Sequence, residues 1–362
     1  MEIRLGALGV AVALGAAVGC DARALAPTSG TSGGTADDPT ACGVGATVTE
    51  IVLQGEGSVL EPLAITAGAD GNLWVVEGYV DAGGSAIGRL ATDGRLDSFP
   101  LPSSTRRPQA IVAGPDGNVW FAEAGDIDGG IGRITPDGTL TEFPLPDTPS
   151  LTNRWPTAVI AGPDGNIWFA DPTANNIGRM SVDGVLLADT FLSKTSDWRD
   201  TPNTIAVGAD GNIWFGEVNR LGRMTLAGDV TFYALHPDED AGGAGNIISG
   251  PDGNLWWNGP SLNRLQRISV PSADGSQPEI TEFLPPGYNP NTPPGVGPMV
   301  VGSDGNIWFV SGSNVVCATT AGRFHQVAIP SGELGYAITA GPDGAVWFTE
   351  PSFERVGRIA FN

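Results

Sequence analysis

GPDGNIWFAD, residues 162–171, is the phrase on which the fold turns. Near copies recur as AGADGNLWVVE, AGPDGNVWFAE, VGADGNIWFGE, SGPDGNLWWNG, GSDGNIWFVSG and AGPDGAVWFTE. Their tryptophans are Trp74, Trp120, Trp168, Trp214, Trp256, Trp308 and Trp347, spaced 46, 48, 46, 42, 52 and 39 residues apart. Such a period belongs to the blade of a propeller rather than to a helical repeat.

One period reads as four strands. In the third copy residues 157–161 form a first strand, 167–171 a second and 176–181 a third. The fourth is plainest in the second copy, at 140–145, ending at Pro146. Asp-Gly pairs between the strands close tight hairpins, because glycine accepts positive φ and aspartate bonds its own backbone. The run Ile-Trp-Phe-Ala is apolar on consecutive residues, as a strand covered on both faces should be. One buried tryptophan then contributes roughly 4–6 kcal/mol gross per blade, an upper bound before entropy.

The chain ends complete the count. Six copies carry the second turn and a fourth strand, whereas the last stops at 358–362, after its third. Residues 47–53, TVTEIVL, resemble the fourth-strand phrase LTEFPL at 140–145. The expected fold is therefore all-β: a seven-bladed propeller over 47–362, four antiparallel strands per blade, the last blade closed by the N-terminal strand. Closure removes edges that would otherwise invite aggregation.

Composition agrees. There are 53 Gly and 29 Pro among 362 residues, a balance against a helical protein. Residues 1–19 read as a secretory signal of the lipoprotein type, with Arg4 before a charge-free run at 5–18 that is too short to span a bilayer. The run ends in Ala17-Val18-Gly19-Cys20, which predicts lipidation at Cys20 and a cell-envelope or extracellular location. Residues 20–46, rich in Thr, Ser, Gly, Ala and Pro, read as a flexible tether. With Cys20 used as an anchor, Cys42 and Cys317 remain as a disulfide pair or as two free thiols. The net charge of −22 disfavours nucleic acid, and a membrane is expected only through the lipid anchor. A monomer is expected.

Two repeated features invite a chemical reading. Glu77, Glu123, Asp171, Glu217 and Glu350 follow the tryptophan by three residues, and Arg89, Arg133, Arg179, Arg223, Arg267 and Arg358 recur in the third strand. They are expected to pair as a structural ring of ions. Each Asp-Gly-Asn turn offers one carboxylate, too few for a hard cation, so the turns are read as hairpin mechanics.

The combined phrase at 108–123, 131–135 and 141–146, repeated around the ring, resembles the streptogramin lyase family, also called virginiamycin B lyase. The resemblance covers about 47–362. It implies a propeller that linearises a cyclic depsipeptide by elimination at an ester, with Mg²⁺. A general base would take the proton α to the carbonyl while a cation stabilises the enolate-like charge. The family carries its histidines in a Pro-His-[Ala/Gly]-Ile phrase at the entry to first strands of late blades, which line the central funnel.

At that slot the seven copies here read Leu63, Gln109, Thr157, Asn203, Gly245, Gly297 and Tyr336. None is histidine. The chain's two histidines are His236, in an acidic loop, and His325, in a fourth strand at the outer rim. Leu63, Gln109, Thr157, Asn203 and Tyr336 are therefore the expected ligand-binding row, suited to a small polar or peptide-like ligand. Tyr336 and Glu350 are the candidate catalytic pair for proton transfer. Two larger loops, 189–201 with Trp198 and 285–298, mark sides where a protein partner would dock.

The expected function is that of an envelope-anchored or secreted lyase-like propeller binding a small ligand or protein partner at the funnel. The first alternative is an Mg²⁺-dependent carbon–oxygen lyase; the second is a gluconolactonase-like, metal-dependent hydrolase. No cofactor is firmly implied beyond Mg²⁺ for a lyase, and no metal ligands can be named.

Overall fold

The computed structural model describes residues 42–53, 61–80, 84–103, 105–125, 129–147, 154–192, 201–217, 220–234, 245–259, 264–270, 278–285 and 296–361. The signal segment, Cys20, His236, Trp198 and most of the two long loops lie outside them.

Seven four-stranded antiparallel sheets form the blades. Numbered in chain order, they span 62–100, 106–144, 158–191, 204–234, 247–283, 299–328 and 338–360. The seventh takes its outermost strand from the amino terminus: Thr47–Val52 pairs with Arg355–Ala360, from Thr47 opposite Ala360 to Val52 opposite Arg355. Each first strand packs on the first strand of the next blade, and the seventh packs on the first, so the ring is closed with the first strands innermost.

The tryptophan phrase is built twice over. All seven indoles are buried, and each Nε1–H donates to the Asp four residues earlier, at 2.9–3.2 Å. The glycine two residues before that Asp is required by this contact: a Cβ on Gly162 would lie 2.3 Å from Trp168 Cδ1. Core clusters lie between blades. Trp120 and Ile131 of blade two pack with Ile167, Phe169 and Met180 of blade three, and Trp347 and Val356 of blade seven with Ile65, Leu73 and Val75 of blade one. The fourth-strand phenylalanine joins in, since Phe99 stacks on Trp74 and fills the space over Gly138 of the next blade.

The expected pairing of the two charged rings is corrected. Each third-strand arginine stands opposite the tryptophan, as Arg179 does to Trp168 and Arg358 to Trp347. The second-strand acid lies three residues farther on. That is about 10 Å along the strand and, for an odd step, on the other face. The arginines pair instead with the turn aspartates: Arg179 with Asp164 (3.4 Å), Arg223 with Asp210 (2.6 Å) and Arg358 with Asp343 (2.6 Å). Arg89 reaches Asp97 instead, at 2.7 Å, and Arg133 donates to the Val182 carbonyl at 2.9 Å.

These contacts make the turn aspartate a structural anion. Burial pushes the Asp343 carboxyl up, but bonds from Trp347, Arg358 and the Ala345 amide outweigh it and hold it below the usual carboxylate value. Its contribution is therefore present above that value and lost as pH falls through the lowered one. Asp343→Ala strands the buried Trp347 N–H and frees Arg358. A loss of about 1–3 kcal/mol is expected at pH 7. Urea unfolding measures it, and a change below about 0.5 kcal/mol would remove the turn aspartate from the account of the fold.

The cysteines sit at the closure. Cys42 begins a turn just before the closing strand and is bonded to Cys317 in the third strand of blade six. Cys317 occupies the place opposite Trp308 where the other blades carry arginine.

Candidate functional site

The slot residues share one backbone device. In blade one Pro62 and Ala64 face Glu77 and Val76, leaving Leu63 as an extra residue; in blade two Pro108 and Ala110 leave Gln109 likewise. Blades three, four, six and seven crowd two residues against one in the same way, blade six doing so with Gly297 and Pro298 against Val310. The amide of Thr157 and residue Ala158 both meet Ala170, and the amide of Asn203 and residue Thr204 both meet Gly216. Tyr336 and Ala337 share Thr349, whose carbonyl accepts from Tyr336 and whose amide donates to Ala337. A bulge disrupts the ladder and re-aims the side chain it carries. In six of the seven blades the slot residue is thus a bulged residue on an inner strand.

What fills the row is mostly neutral. Gln109 is exposed and donates to Arg107 O (3.3 Å); Asn203 is half-buried and donates to Thr201 O (2.9 Å). The Thr157 hydroxyl is buried and makes no hydrogen bond among the described residues. Leu63 is half-buried and Tyr336 is 47 % exposed. Blades five and six leave no room for a side chain. A Cβ on Gly245 would fall 1.2 Å from the Asn258 carbonyl oxygen, and one on Gly297 2.6 Å from Val310 Cγ2. The inner strands there are stitched together, with Ile247 N donating to Thr204 Oγ1 and Met299 N to Asn246 Oδ1.

Behind the row lies the layer of second-strand acids, each fully buried or nearly so. Their partners are residues that the sequence reading did not single out. Arg106 reaches Glu123 (3.2 Å) and Glu142 (3.6 Å), and Arg154 reaches Asp171 (2.5 Å) and Asp189 (3.0 Å). Arg220 pairs with Glu217; in blade five, whose second strand carries Asn258 instead of an acid, Arg264 pairs with Glu282 of the fourth strand (2.9 Å). Arg106 and Arg154 each precede a slot residue by three positions, a signal present in only two described blades and so without the force of a repeat. Glu77 has no arginine among its described contacts. It accepts from Ser98 Oγ (2.9 Å), and burial pushes its carboxyl up.

Glu350 is fully buried and accepts from Ser331 Oγ at 2.9 Å. Burial, aided by the neighbouring Glu50 carboxylate, raises its pKa from 4.5 to about 7. The phenol of Tyr336 makes no hydrogen bond to Glu350 among the described residues, so the structure does not join this pair into a relay. His325 lies in the outer strand Phe324–Ala328, opposite Cys317.

The resemblance implies a magnesium site. Among the described residues, no group of three or more His, Cys, Asp or Glu side chains could hold a metal. The acids that are close together are occupied by arginine or serine, so no chemical step is routed through an ion.

The model of the virginiamycin B lyase family matches residues 43–283. A streptogramin B lyase structure is 27 % identical with a TM-score of 0.72, covering 88 % of this chain and 98 % of its own. A catalytically inactive virginiamycin B lyase from Staphylococcus aureus with quinupristin is 26 % identical at TM-score 0.72, covering 88 % and 100 %. YCF48 bound to D1 peptide, 14 % identical at TM-score 0.62 over 87 % and 96 %, shares the fold. No curated protein matches in sequence. With more than half of its length matched by the family model, the chain belongs to the virginiamycin B lyase family.

Proposed function

We propose that this protein is a binding member of its family: an envelope-anchored propeller that holds a small polar or peptide-like ligand, or a protein partner, at the funnel entry. The supporting observation is the bulged row itself. It presents Leu63, Gln109, Thr157, Asn203 and Tyr336, and at Gly245 and Gly297 there is no space for any side chain. Elimination needs a group that accepts a proton at neutral pH within reach of the substrate. Amide, alcohol and aliphatic groups can orient a ligand and exclude water but do not serve as that base, and the Tyr336 phenol makes no hydrogen bond to Glu350 among the described residues that would draw off its proton. The Ala-Val-Gly-Cys20 sequence supports the anchor.

One observation favours the lyase reading. Glu350, with its pKa near 7, has the proton affinity a general base requires. Its position opposes the role, because it is fully buried and capped by Ser331.

Quinupristin incubated with the purified domain and Mg²⁺ tests the two. The expected mass spectrum shows the intact cycle only. A linear product that disappears in Tyr336→Phe or Glu350→Gln would establish the lyase and overturn the binding assignment.

A further inference from the structure

Blades two, three and seven share one diagonal of carboxyl groups. In blade two Glu123 stands opposite Gly130 and Glu142 opposite Gly132. In blade three Asp171 stands opposite Asn176 and Asp189 opposite Gly178. In blade seven Glu350 stands opposite Arg355 and Glu50 opposite Gly357. Each pair therefore joins a second strand to a fourth across two positions of the third. Blades two and three insert a guanidinium between the two anions, Arg106 or Arg154. Blade seven inserts a serine: Ser331 N donates to Glu50 Oε1 (3.0 Å) and Ser331 Oγ to Glu350 Oε2 (2.9 Å). The position three before the slot, arginine in the other two blades, is Glu333 here.

Two neighbouring carboxylates cannot both ionise cheaply without a cation between them when one of them, Glu350, is fully buried and the other, Glu50, half-buried. We propose that Glu50 and Glu350 share one proton across the seam of the ring, and that losing this proton loosens the closing strand. The proton stands where arginine stands in the sister blades. Glu50 belongs to the N-terminal strand Thr47–Val52, and Ser331 lies on the segment leading from blade six into blade seven. One titration therefore acts on the point where the two ends of the propeller meet.

The other charged and titratable groups here are Arg355 on the same hairpin, which favours both carboxylates in ionised form, with Glu354 beside it. Glu333 donates its backbone amide to Ser331 Oγ, and Tyr336 enters the inner strand. The directions of shift agree with a shared proton: Glu350 is raised to about 7 and Glu50 is lowered. For Glu350 the closed state holds its proton up to about 7, whereas the open state releases it above 4.5. Its stabilisation is complete below 4.5 and is lost as pH rises toward 7, after which it is level. Glu50 acts only below 4.5, where its depressed value makes the closure lose stability as pH falls. The clasp is tightest near the lower end of the interval from 4.5 to 7.

Hydrogen exchange tests this on the intact protein. The protection of the Thr47–Val52 amides is divided by that of the blade-two strand Leu140–Pro144 in the same sample, which cancels the intrinsic pH dependence of exchange. The expected ratio falls at least tenfold between pH 5 and 7.5 in the wild type and stays level in Glu350→Gln, which carries a permanent neutral amide. Glu77→Gln, which removes another raised acid but in blade one, is expected to keep the wild-type fall. A level wild-type ratio, or an unchanged fall in Glu350→Gln, overturns the proposal. Should Glu350→Gln not fold, Glu50→Gln removes the like charge and is expected to shrink the fall; an unshrunk fall overturns it equally.

Discussion

Arg154→Met is expected to destabilise the protein by about 3–5 kcal/mol at neutral pH, the cost of leaving buried carboxylates without their counter-ion. Arg154 is fully buried and donates from Nε to Asp171 (2.5 Å), from Nη1 and Nη2 to Asp189 (3.0 and 3.1 Å), and from Nη1 to the Pro146 carbonyl (3.2 Å). Burial alone would lower the pKa of this guanidinium, and the two carboxylates more than offset that. Methionine keeps most of the volume, so packing is spared and the loss reports charge. The variant's stability should also decline as pH rises, because its stranded carboxyls are tolerated only while protonated. Adding Asp171→Asn and Asp189→Asn should restore more than half of the loss, since a neutral network no longer needs a cation. Urea unfolding at pH 5 and 8 measures all of this. A loss below about 1 kcal/mol, or no recovery in the triple variant, would mean that the contact is replaceable by water.

Why the fold was legible and the buried charge layer was not follows from what repeats. The Asp, the Gly and the Trp of GPDGNIWFAD each answer a demand that recurs in every blade, so the sequence states it many times. The amino-terminal strand was readable for the same reason, as a displaced fourth-strand phrase at 47–53, and it is found at Thr47–Val52. Arg106, at the start of a first strand, and Arg154 and Ser331, before one, solve one electrostatic problem in two ways, by a guanidinium or by a hydroxyl. A single occurrence leaves no period to detect. The misassigned ion pairs show the complementary error. Two periodic features, acid and arginine, were joined because both repeat, whereas their spacing places the arginine opposite the tryptophan and the acid on the other face. At the funnel entry, the slot was visible as a column of non-histidine residues, but the bulge that turns each one is a property of strand pairing and has no residue signature of its own.

Removing the Cys42–Cys317 bond should produce the other large effect. The two cysteines are 275 residues apart in sequence, and their link joins the turn before the closing strand to blade six. A cross-link over so long a loop takes much freedom from the unfolded chain, and its loss is expected to cost about 2–5 kcal/mol. The double variant Cys42→Ala, Cys317→Ala is the appropriate probe, because Cys317 is fully buried and a serine there would strand a hydroxyl. The six-residue ladder from Thr47 to Val52 remains in that variant, together with the Leu53 amide on the Glu354 carbonyl and the Ser331 amide on Glu50, to fasten the amino terminus to blade seven. Opening it exposes the last blade's third strand, so the closing strand's amides should lose protection before those of any other blade do. Two fastenings that act on one seam reinforce each other: the disulfide holds the strand near its partner, and the ladder sets its register. If the double variant unfolds within about 1 kcal/mol of the wild type, with the closing strand still the best protected of the outer strands, the ladder alone closes the ring and the cross-link serves another end.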